Sequence, residues 1–251
     1  MIPGFAAAAL PGARGGFTAR AGGVSTGPYA ASDGAGGLNL GSRVGDDDGA
    51  VRTNRARVAA DLGAPVVWMR QVHGGDVHVV EGAATEHEPE CDALVAVPGS
   101  GVGLGVLVAD CVPVLLAEPS GVVGAVHVGR AGLVAGVLEA TFAAMARLDV
   151  EPGRVTAVLG PSICGCCYEV PAQMRDDVGG RVPGTAAWTS WGTPSLDLPG
   201  GVRGRLAELG AGGVLDAGVC TLEDQRYYSH RRAGREGVPA TGRFAGVVRA
   251  R

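Results

Sequence analysis

The chain has 251 residues, of which 46% are hydrophobic, and a formal net charge of -4. This composition supports a buried core and excludes a disordered chain. All 21 basic residues are arginines and they form no basic stripe, which argues against a nucleic-acid partner, favours a small-molecule substrate and excludes catalysis by lysine.

Helical patterns alternate with apolar runs of strand length. In chain order, the sequence predicts a helix over 51–62 after the acidic cap at 46–48, strands over 66–69, 93–97, 104–108, 112–117 and 122–126, a helix over 133–148, a strand over 155–159, helices over 171–178 and 202–209, and a strand over 244–248. The Gly-rich stretches 1–45 and 179–199 are not clear linkers. The pattern therefore predicts one domain, residues 1–251, of mixed α/β (α+β) class.

The sequence also indicates a compartment. No apolar run approaches the roughly 20 residues of a transmembrane helix, and the apolar stretch 5–10 is too short for a secretory signal. Three of the six cysteines crowd at Cys164, Cys166 and Cys167, unlike the spread framework of a small secreted domain. We expect a cytoplasmic protein without a membrane partner. Adjacent cysteines rarely bind one ion, so we interpret this crowded group as packing residues.

Polar residues interrupt the apolar runs at three points. His73 ends a strand-like run beside two glycines, and Cys111 with Asp110 separates two predicted strands. An aspartate between buried strands is costly unless it is paired, and Asp110 is a candidate partner for a metal-binding histidine. His127 follows another strand and leads through a Gly-bearing loop to a predicted helix start near Gly132, which suits an anion.

His73, Cys111 and His127 each have a simpler interpretation when taken singly, as a structural histidine, a small buried hydrophobe and a residue of an ordinary turn. Because all three fall at strand ends, their side chains can converge on one cleft. Two imidazoles and a thiolate suit zinc, and less often copper. Three protein ligands leave a fourth position open, as catalytic zinc sites require.

Ordered motifs along nearly the whole chain resemble the laccase-domain (YfiH-like) family, whose members were first labelled polyphenol oxidases and are now regarded as purine nucleoside phosphorylases. The matching segments are 18–25 (TARAGGVS), 38–41 (LNLG), 44–46 (VGD), 54–55 (NR), 71–74 (QVHG), 109–113 (ADCVP), 160–164 (GPSIC), 167–170 (CYEV), 220–221 (CT), 229–232 (SHRR) and 241–243 (TGR).

The resemblance implies a single domain of mixed sheets sandwiched between helices, the YfiH-like fold. It also implies that His73, Cys111 and His127 bind zinc. Within the matching motifs, the candidate contacts for substrate or phosphate are Asn39, Arg55, Tyr168 and Arg231, and Arg130 is a further candidate. The last arises from a departure: the family pattern His-Ala-Gly-Trp-Arg-Gly is here His127-Val128-Gly129-Arg130-Ala131-Gly132.

The activity implied is phosphorolysis of adenosine, inosine and methylthioadenosine to the base and a ribose 1-phosphate, with adenosine deamination as a second activity. Three alternatives stay open at this point. They are a copper-dependent polyphenol oxidase, a cysteine hydrolase with Cys111 as nucleophile and His127 as base, and a binding module that has lost catalysis through its altered loop. We expect a monomer or a small homo-oligomer.

Overall fold

The computed structural model describes residues 2–82 and 87–251. Its strands are β1 (Ala6–Ala7), β2 (Ala13–Phe17), β3 (Ala21–Ser25), β4 (Val66–Trp68), β5 (Val77–Val80), β6 (Ala93–Ala96), β7 (Gly103–Val108), β8 (Val112–Ala117), β9 (Val123–Val128), β10 (Thr156–Leu159), β11 (Ala186–Trp188), β12 (Pro194–Leu196), β13 (Gly213–Asp216) and β14 (Phe244–Ala250). Its helices are α1 (Asp48–Leu62), α2 (Arg130–Ala135), α3 (Val137–Ala146), α4 (Ala172–Arg181), α5 (Leu198–Glu208) and α6 (His230–Arg235). Among these residues, no helix has the length and apolar character needed to cross a membrane.

Two large mixed sheets form the centre of the molecule. Strand order is β1-β2-β14-β7-β4 in the five-stranded sheet and β13-β10-β8-β9-β6-β5 in the six-stranded sheet. In the first, β4 runs parallel and β14 antiparallel to β7. In the second, β5 and β6 are parallel whereas β8 and β9 are antiparallel. A small third sheet pairs β11 with β12.

Buried apolar side chains join these sheets and helices into layers. Leu104 of β7 and Leu115 of β8 belong to the cluster between the two large sheets. Val58 of α1 belongs to the cluster on the outer face of the five-stranded sheet, and Leu138 of α3 to the one on the outer face of the six-stranded sheet. The predicted fold class, mixed sheets between helices, is confirmed.

Most predicted elements are present, and the departures have local causes. The helix predicted over 133–148 begins three residues earlier and is divided into two helices, α2 and α3. The division arises because Gly136 adopts a φ of 83° and ends α2. The acidic cap of α1 is confirmed, since the Asp47 side chain accepts a hydrogen bond from the Ala50 N–H. Strand β2 was not predicted from its Gly-rich sequence.

The glycines of β2 are explained by a close approach of neighbouring backbone. A Cβ atom at Gly15 would lie 2.4 Å from the Val247 carbonyl oxygen, and one at Gly16 would lie 2.2 Å from that of Ala6. Glycine at these positions therefore lets β14 and β1 approach closely enough to pair with β2. Its composition alone is typical of a loop.

Two connections between the sheets bring polar residues to one edge of the molecule. The chain passes from β7 to β8 through only residues 109–111, and from β4 to β5 through residues 69–76. Pairing of β8 with β9 places Val112 opposite Val128 and Pro113 opposite His127. Cys111 therefore lies at the end of β9 where His127 and the start of α2 are found.

Candidate metal centre

His73, Cys111 and His127 meet at this edge. Their ligand atoms all lie within 4.8 Å of one another, and the Cys111 Sγ is 3.8 Å from the His73 Nε2. The two imidazole rings are 4.7 Å apart between centroids and nearly perpendicular, at 85°. His127 is buried, Cys111 is half-buried and His73 is exposed. The three residues therefore form a group that can hold a metal ion reached from solvent on one side.

The backbone at the centre is strained at two residues that are not glycine. His73 has a φ of 61° and Asp110 a φ of 92°, in the left-handed region that side chains disfavour at a cost of about 1–3 kcal/mol. Asp110 is held there by three hydrogen bonds. Its carboxylate accepts from the Thr221 hydroxyl and the Arg231 N–H, each at 2.7 Å, and its carbonyl from the Ile163 N–H at 2.9 Å.

Asp110 therefore orients the Cys111 turn. The prediction that Asp110 is the partner of a metal-binding histidine is wrong. Asp92 has that role instead. Its fully buried carboxylate lies 2.7 Å from the His127 Nδ1 and accepts the N–H groups of His73 and Gly74 at 2.9 and 2.7 Å. One side chain thus fixes both histidines, and the ring of His127 presents its Nε2 to the centre.

Gly129 provides the space in which His73, Cys111 and His127 meet. A Cβ atom at this position would lie 2.7 Å from the His73 Cδ2 and 3.3 Å from the Cys111 Sγ. Gly132, one turn further along, would bring a Cβ to 3.0 Å from the Gly74 carbonyl oxygen. Gly129 is therefore required for the contact with His73, and Gly132 of α2 packs tightly against the loop that carries His73.

Without a metal ion, Cys111 and His127 form a thiolate–imidazolium pair. Burial raises the pKa of Cys111, but the charge and hydrogen bond of His127, together with His73, outweigh it and lower that pKa to about 6. Burial lowers the pKa of His127, but Cys111 and Asp92 outweigh it and raise that pKa to about 9. The thiol is therefore already ionised near neutral pH, as a metal ligand must be.

The centre lies in the wall of a cavity of about 570 Å³, within the range of small-molecule sites. Five arginines line it, namely Arg43, Arg70, Arg130, Arg231 and Arg243. Apolar side chains complete the wall, including Val44, Met69, Leu107, Ile163 and Leu198. A cavity of this kind suits a ligand with an anionic group and an apolar ring.

Comparison with known proteins identifies the family. The model of the multi-copper polyphenol oxidoreductase laccase family matches residues 14–251. The chain belongs to this laccase-domain family. A Streptomyces griseus protein named purine nucleoside phosphorylase is 52% identical over 238 residues, covering 92% of each chain.

Solved structures of laccase-domain relatives have the same fold. A Neisseria meningitidis protein superimposes with a TM-score of 0.84 at 36% identity, covering 98% of both chains. The YfiH protein of Bacillus licheniformis superimposes with a TM-score of 0.81 at 27% identity, covering 95% of this chain and 93% of that one. The resemblance inferred from the sequence motifs is confirmed.

Three residues predicted to contact substrate share the laccase-domain cavity with His73, Cys111 and His127. Arg130, Tyr168 and Arg231 all line it, and the Arg231 guanidinium lies 5.1 Å from the centroid of the Tyr168 ring. Burial raises the pKa of Tyr168 and so does the charge of Cys111, while Arg130 and Arg231 act in the opposite direction. The tyrosine ring therefore packs against Arg231, and its hydroxyl is sensitive to the charges of both arginines.

Asn39 and Arg55 lie elsewhere. Asn39 is fully buried, where its side chain donates to Asp46 at 2.8 Å and accepts the Arg243 N–H at 2.8 Å. Arg55 pairs with Glu88 at 2.7 Å and lies over the Trp68 ring at 4.8 Å. Neither residue is part of the cavity wall.

Sequence reasoning missed several residues of the site. Asp92 precedes β6 just as Asp110 precedes β8, so the same argument about a carboxylate at a buried strand would have found it. Arg43, Arg70 and His230 also line the cavity, but only the folded chain brings them there. Arg243 belongs to a matched family motif to which no role had been given.

The altered loop of this laccase-domain protein begins a helix earlier than predicted. Gly129 is the N-cap residue and Arg130 the first residue of α2, so the helix start is not at Gly132.

The arginines of the cavity differ in their ion pairs. Arg43 pairs with Glu88 at 3.6 Å and Arg70 with Glu90 at 2.9 Å. Within residues 2–82 and 87–251, Arg130 has no carboxylate within ion-pair distance, so its charge is available to a ligand.

Proposed function

We propose that this protein is a zinc-dependent purine nucleoside phosphorylase that acts on adenosine, inosine and methylthioadenosine. The observation that carries the proposal is the meeting of His73, Cys111 and His127 in a cavity lined by five arginines. The name of the Streptomyces griseus relative supports the same activity. In this reaction a phosphate oxygen bonds to the ribose C1′, the glycosidic bond breaks, and the base departs with the bonding electrons and takes up a proton.

The three ligands fit a zinc ion. At ligand distances of about 2.3 Å for sulfur and 2.1 Å for nitrogen, a tetrahedral ion separates the two donors by about 3.6 Å, and the Cys111 Sγ and His73 Nε2 are 3.8 Å apart. His127 reaches the centre through its Nε2 because its Nδ1 faces Asp92. Zinc held by these three residues would supply a Lewis acid to the bound substrate.

The residues of the chain provide the remaining tasks. The phosphate is held by Arg130 and Arg231, because a guanidinium group can donate two hydrogen bonds to two phosphate oxygens. Arg130 has no carboxylate partner in the described part of the chain. The apolar wall and Tyr168 enclose the purine and exclude water. Exclusion of water favours transfer to phosphate over hydrolysis.

Deamination of adenosine is a second activity that the same centre supports, because three protein ligands leave a position for water. The carboxylates that line the cavity are already engaged, Glu88 by Arg55 and Asp110 by Thr221 and the Arg231 N–H. A zinc deaminase needs a carboxylate to move protons. We therefore propose phosphorolysis as the main activity and deamination as the slower one.

The test is to incubate the purified protein with adenosine, inosine or methylthioadenosine, with and without phosphate, and to measure free base, ribose 1-phosphate and ammonia. We expect base release that depends on phosphate, and its loss in Cys111→Ala together with the metal at this centre. No phosphate-dependent release from any of the three nucleosides would refute the proposal.

The same preparation separates the remaining alternatives. A polyphenol oxidase would contain copper and oxidise phenols. A cysteine hydrolase would stay active after chelation of its metal, whereas the zinc enzyme would not. A binding module would hold a nucleoside without converting it.

A further inference from the structure

A second group of metal-binding side chains lies outside the cavity. The ligand atoms of Cys164, Cys167, Cys220 and Glu223 all lie within 4.8 Å of one another. None of the four lines the cavity, and the proposed reaction uses none of them. The cysteines are free thiols. Apolar packing does not explain why three thiols and a carboxylate lie so close together, because a carboxylate is not stabilised by apolar neighbours.

Two tight turns of the same kind present these four groups. In the first, the Cys167 N–H donates to the Cys164 carbonyl at 3.0 Å. In the second, the Glu223 N–H donates to the Cys220 carbonyl at 3.2 Å. Each turn therefore places two ligands three residues apart on one side, the spacing of the Cys-x-x-Cys segments in structural zinc sites.

The arrangement also resolves the crowding of cysteines. Cys166, between the two ligands of the first turn, is exposed and is absent from the cluster. Cys166 is therefore outside the group to which its neighbour Cys167 belongs. The partner of Cys164 and Cys167 is Cys220, which is 53 or more positions away along the chain and was not connected with them by the sequence.

The two turns are held together by backbone hydrogen bonds. Ser162 donates its N–H to the Val219 carbonyl at 3.1 Å and accepts the Thr221 N–H at 3.0 Å. The Cys164 N–H points to the Cys220 Sγ at 3.5 Å. The ligand groups are therefore brought together by the fold, without rearrangement on binding.

The distances and charges suit a tetrahedral ion. With ligand distances of about 2.3 Å for sulfur and 2.0 Å for oxygen, the two donors are about 3.5 Å apart, and the Cys167 Sγ lies 3.5 Å from the Glu223 Oε1. A guanidinium group of Arg232 donates to the Thr221 and Leu222 carbonyls at 2.6 and 3.1 Å. Its positive charge lies beside the turn that carries two of the anionic ligands.

We propose that Cys164, Cys167, Cys220 and Glu223 form a second zinc site of structural type. Four protein ligands complete the coordination of the ion and leave no position for substrate. On binding, the three thiols release their protons to solvent and the ion accepts an electron pair from each sulfur and from the carboxylate.

The site connects two segments that build the cavity. The first turn precedes Tyr168, and the second leads to Arg231, both of which line the cavity. Thr221, inside the second turn, holds Asp110 through its hydroxyl at 2.7 Å, next to the ligand Cys111. A metal ion at the second site therefore fixes the wall of the cavity in relation to the first centre.

The test is a count of zinc in the purified full-length protein, followed by replacement with cobalt(II). We expect two zinc ions per chain, and one in Cys111→Ala, where only the second site remains. Cobalt bound to that variant should show thiolate-to-metal charge-transfer absorption from three sulfurs. In Cys164→Ser/Cys167→Ser, only Cys111 contributes, so the absorption per metal should fall to about one third.

Cys166→Ser is the matched control, since it removes an exposed neighbouring thiol, and it should keep both ions. The proposal is overturned if Cys111→Ala holds no metal, if its cobalt complex lacks thiolate absorption, or if mass spectrometry finds a disulfide within the cluster. Cys111→Ala decides the question even where the double serine variant does not fold. These readouts do not depend on nucleoside turnover, so failure of the second site and failure of the proposed activity are distinguishable.

Discussion

The Oδ1 of Asp92 lies 2.7 Å from the Nδ1 of His127, and the same carboxylate accepts the His73 N–H. One buried side chain thus orients the His127 imidazole and fixes the backbone that carries His73. Burial alone would raise the pKa of Asp92, but the hydrogen bond from His127 and those from the Gly74 and His73 N–H groups lower it. The carboxylate is therefore charged and favours Nδ1–H, which leaves Nε2 for the metal.

Replacing Asp92 by asparagine should weaken zinc binding at the first centre by about 10- to 100-fold. The amide removes the charge and retains only one acceptor oxygen for its several donors. Competition with a chromogenic chelator measures the affinity. Asp76→Asn, which changes an exposed carboxylate in the loop that carries His73, is the control and should bind normally. Equal affinities of the two variants would contradict the role of Asp92.

Alanine at position 129 should displace His73, because the added Cβ would lie 2.7 Å from its ring. We expect a loss of about 100-fold in kcat/KM, with a matching loss of zinc from the first centre. Gly204→Ala provides the control, since that exposed position in α5 has open space around it. Its stability should rise by about 0.5–1 kcal/mol. Normal metal content in Gly129→Ala would refute the packing argument.

The metal-free protein should show an unusually reactive Cys111. Because His127 lowers the pKa of Cys111 to about 6, alkylation should rise through pH 6 and level off, where an ordinary thiol rises near 9. The lowered pKa of Cys111 contributes stability that is lost as the pH falls through about 6. The raised pKa of His127 contributes stability that is lost as the pH rises through about 9. The pair therefore contributes most between about 6 and 9.

Peptide mapping by mass spectrometry after brief iodoacetamide treatment follows Cys111 separately from the other cysteines. Bound zinc should protect it throughout this range. A midpoint near pH 9 in the metal-free protein would show that no thiolate–imidazolium pair forms.

Replacing Arg130 by glutamine should raise the KM for phosphate by about 10- to 100-fold, the effect of losing a charge-assisted hydrogen bond. Metal content should stay unchanged, because the guanidinium is not a ligand. Arg147→Gln, at an exposed position after α3, is the control. An unchanged KM for phosphate in Arg130→Gln would show that the displaced arginine of the altered loop does not hold the anion.

Arg55→Gln should mainly affect stability, although the sequence had suggested a phosphate contact. Arg55 pairs with Glu88 and lies over Trp68, and losing these contacts should lower the free energy of unfolding by about 1–3 kcal/mol. Chemical denaturation measures it. A large rise in the KM for phosphate with unchanged stability would restore the sequence-based hypothesis.

Residue types and local patterns in the sequence were enough to predict the candidate ligands and the class of fold. His73, Cys111 and His127 interrupt apolar runs, and ligand chemistry depends on residue type, which is visible in the sequence. Strands rich in valine and leucine were also predictable, since their local pattern and their burial agree. Strand β2 was not, because its glycines are explained only by the backbone of β14 and β1.

The polar groups that meet could be identified only in the folded chain. Asp92 and not Asp110 orients His127, because pairing of β6 with β9 brings the start of one strand beside the end of the other. Cys220 joins Cys164 and Cys167 through a bridge between segments more than 50 residues apart. Contacts of this length depend on strand register and loop closure, which no local pattern of residues specifies.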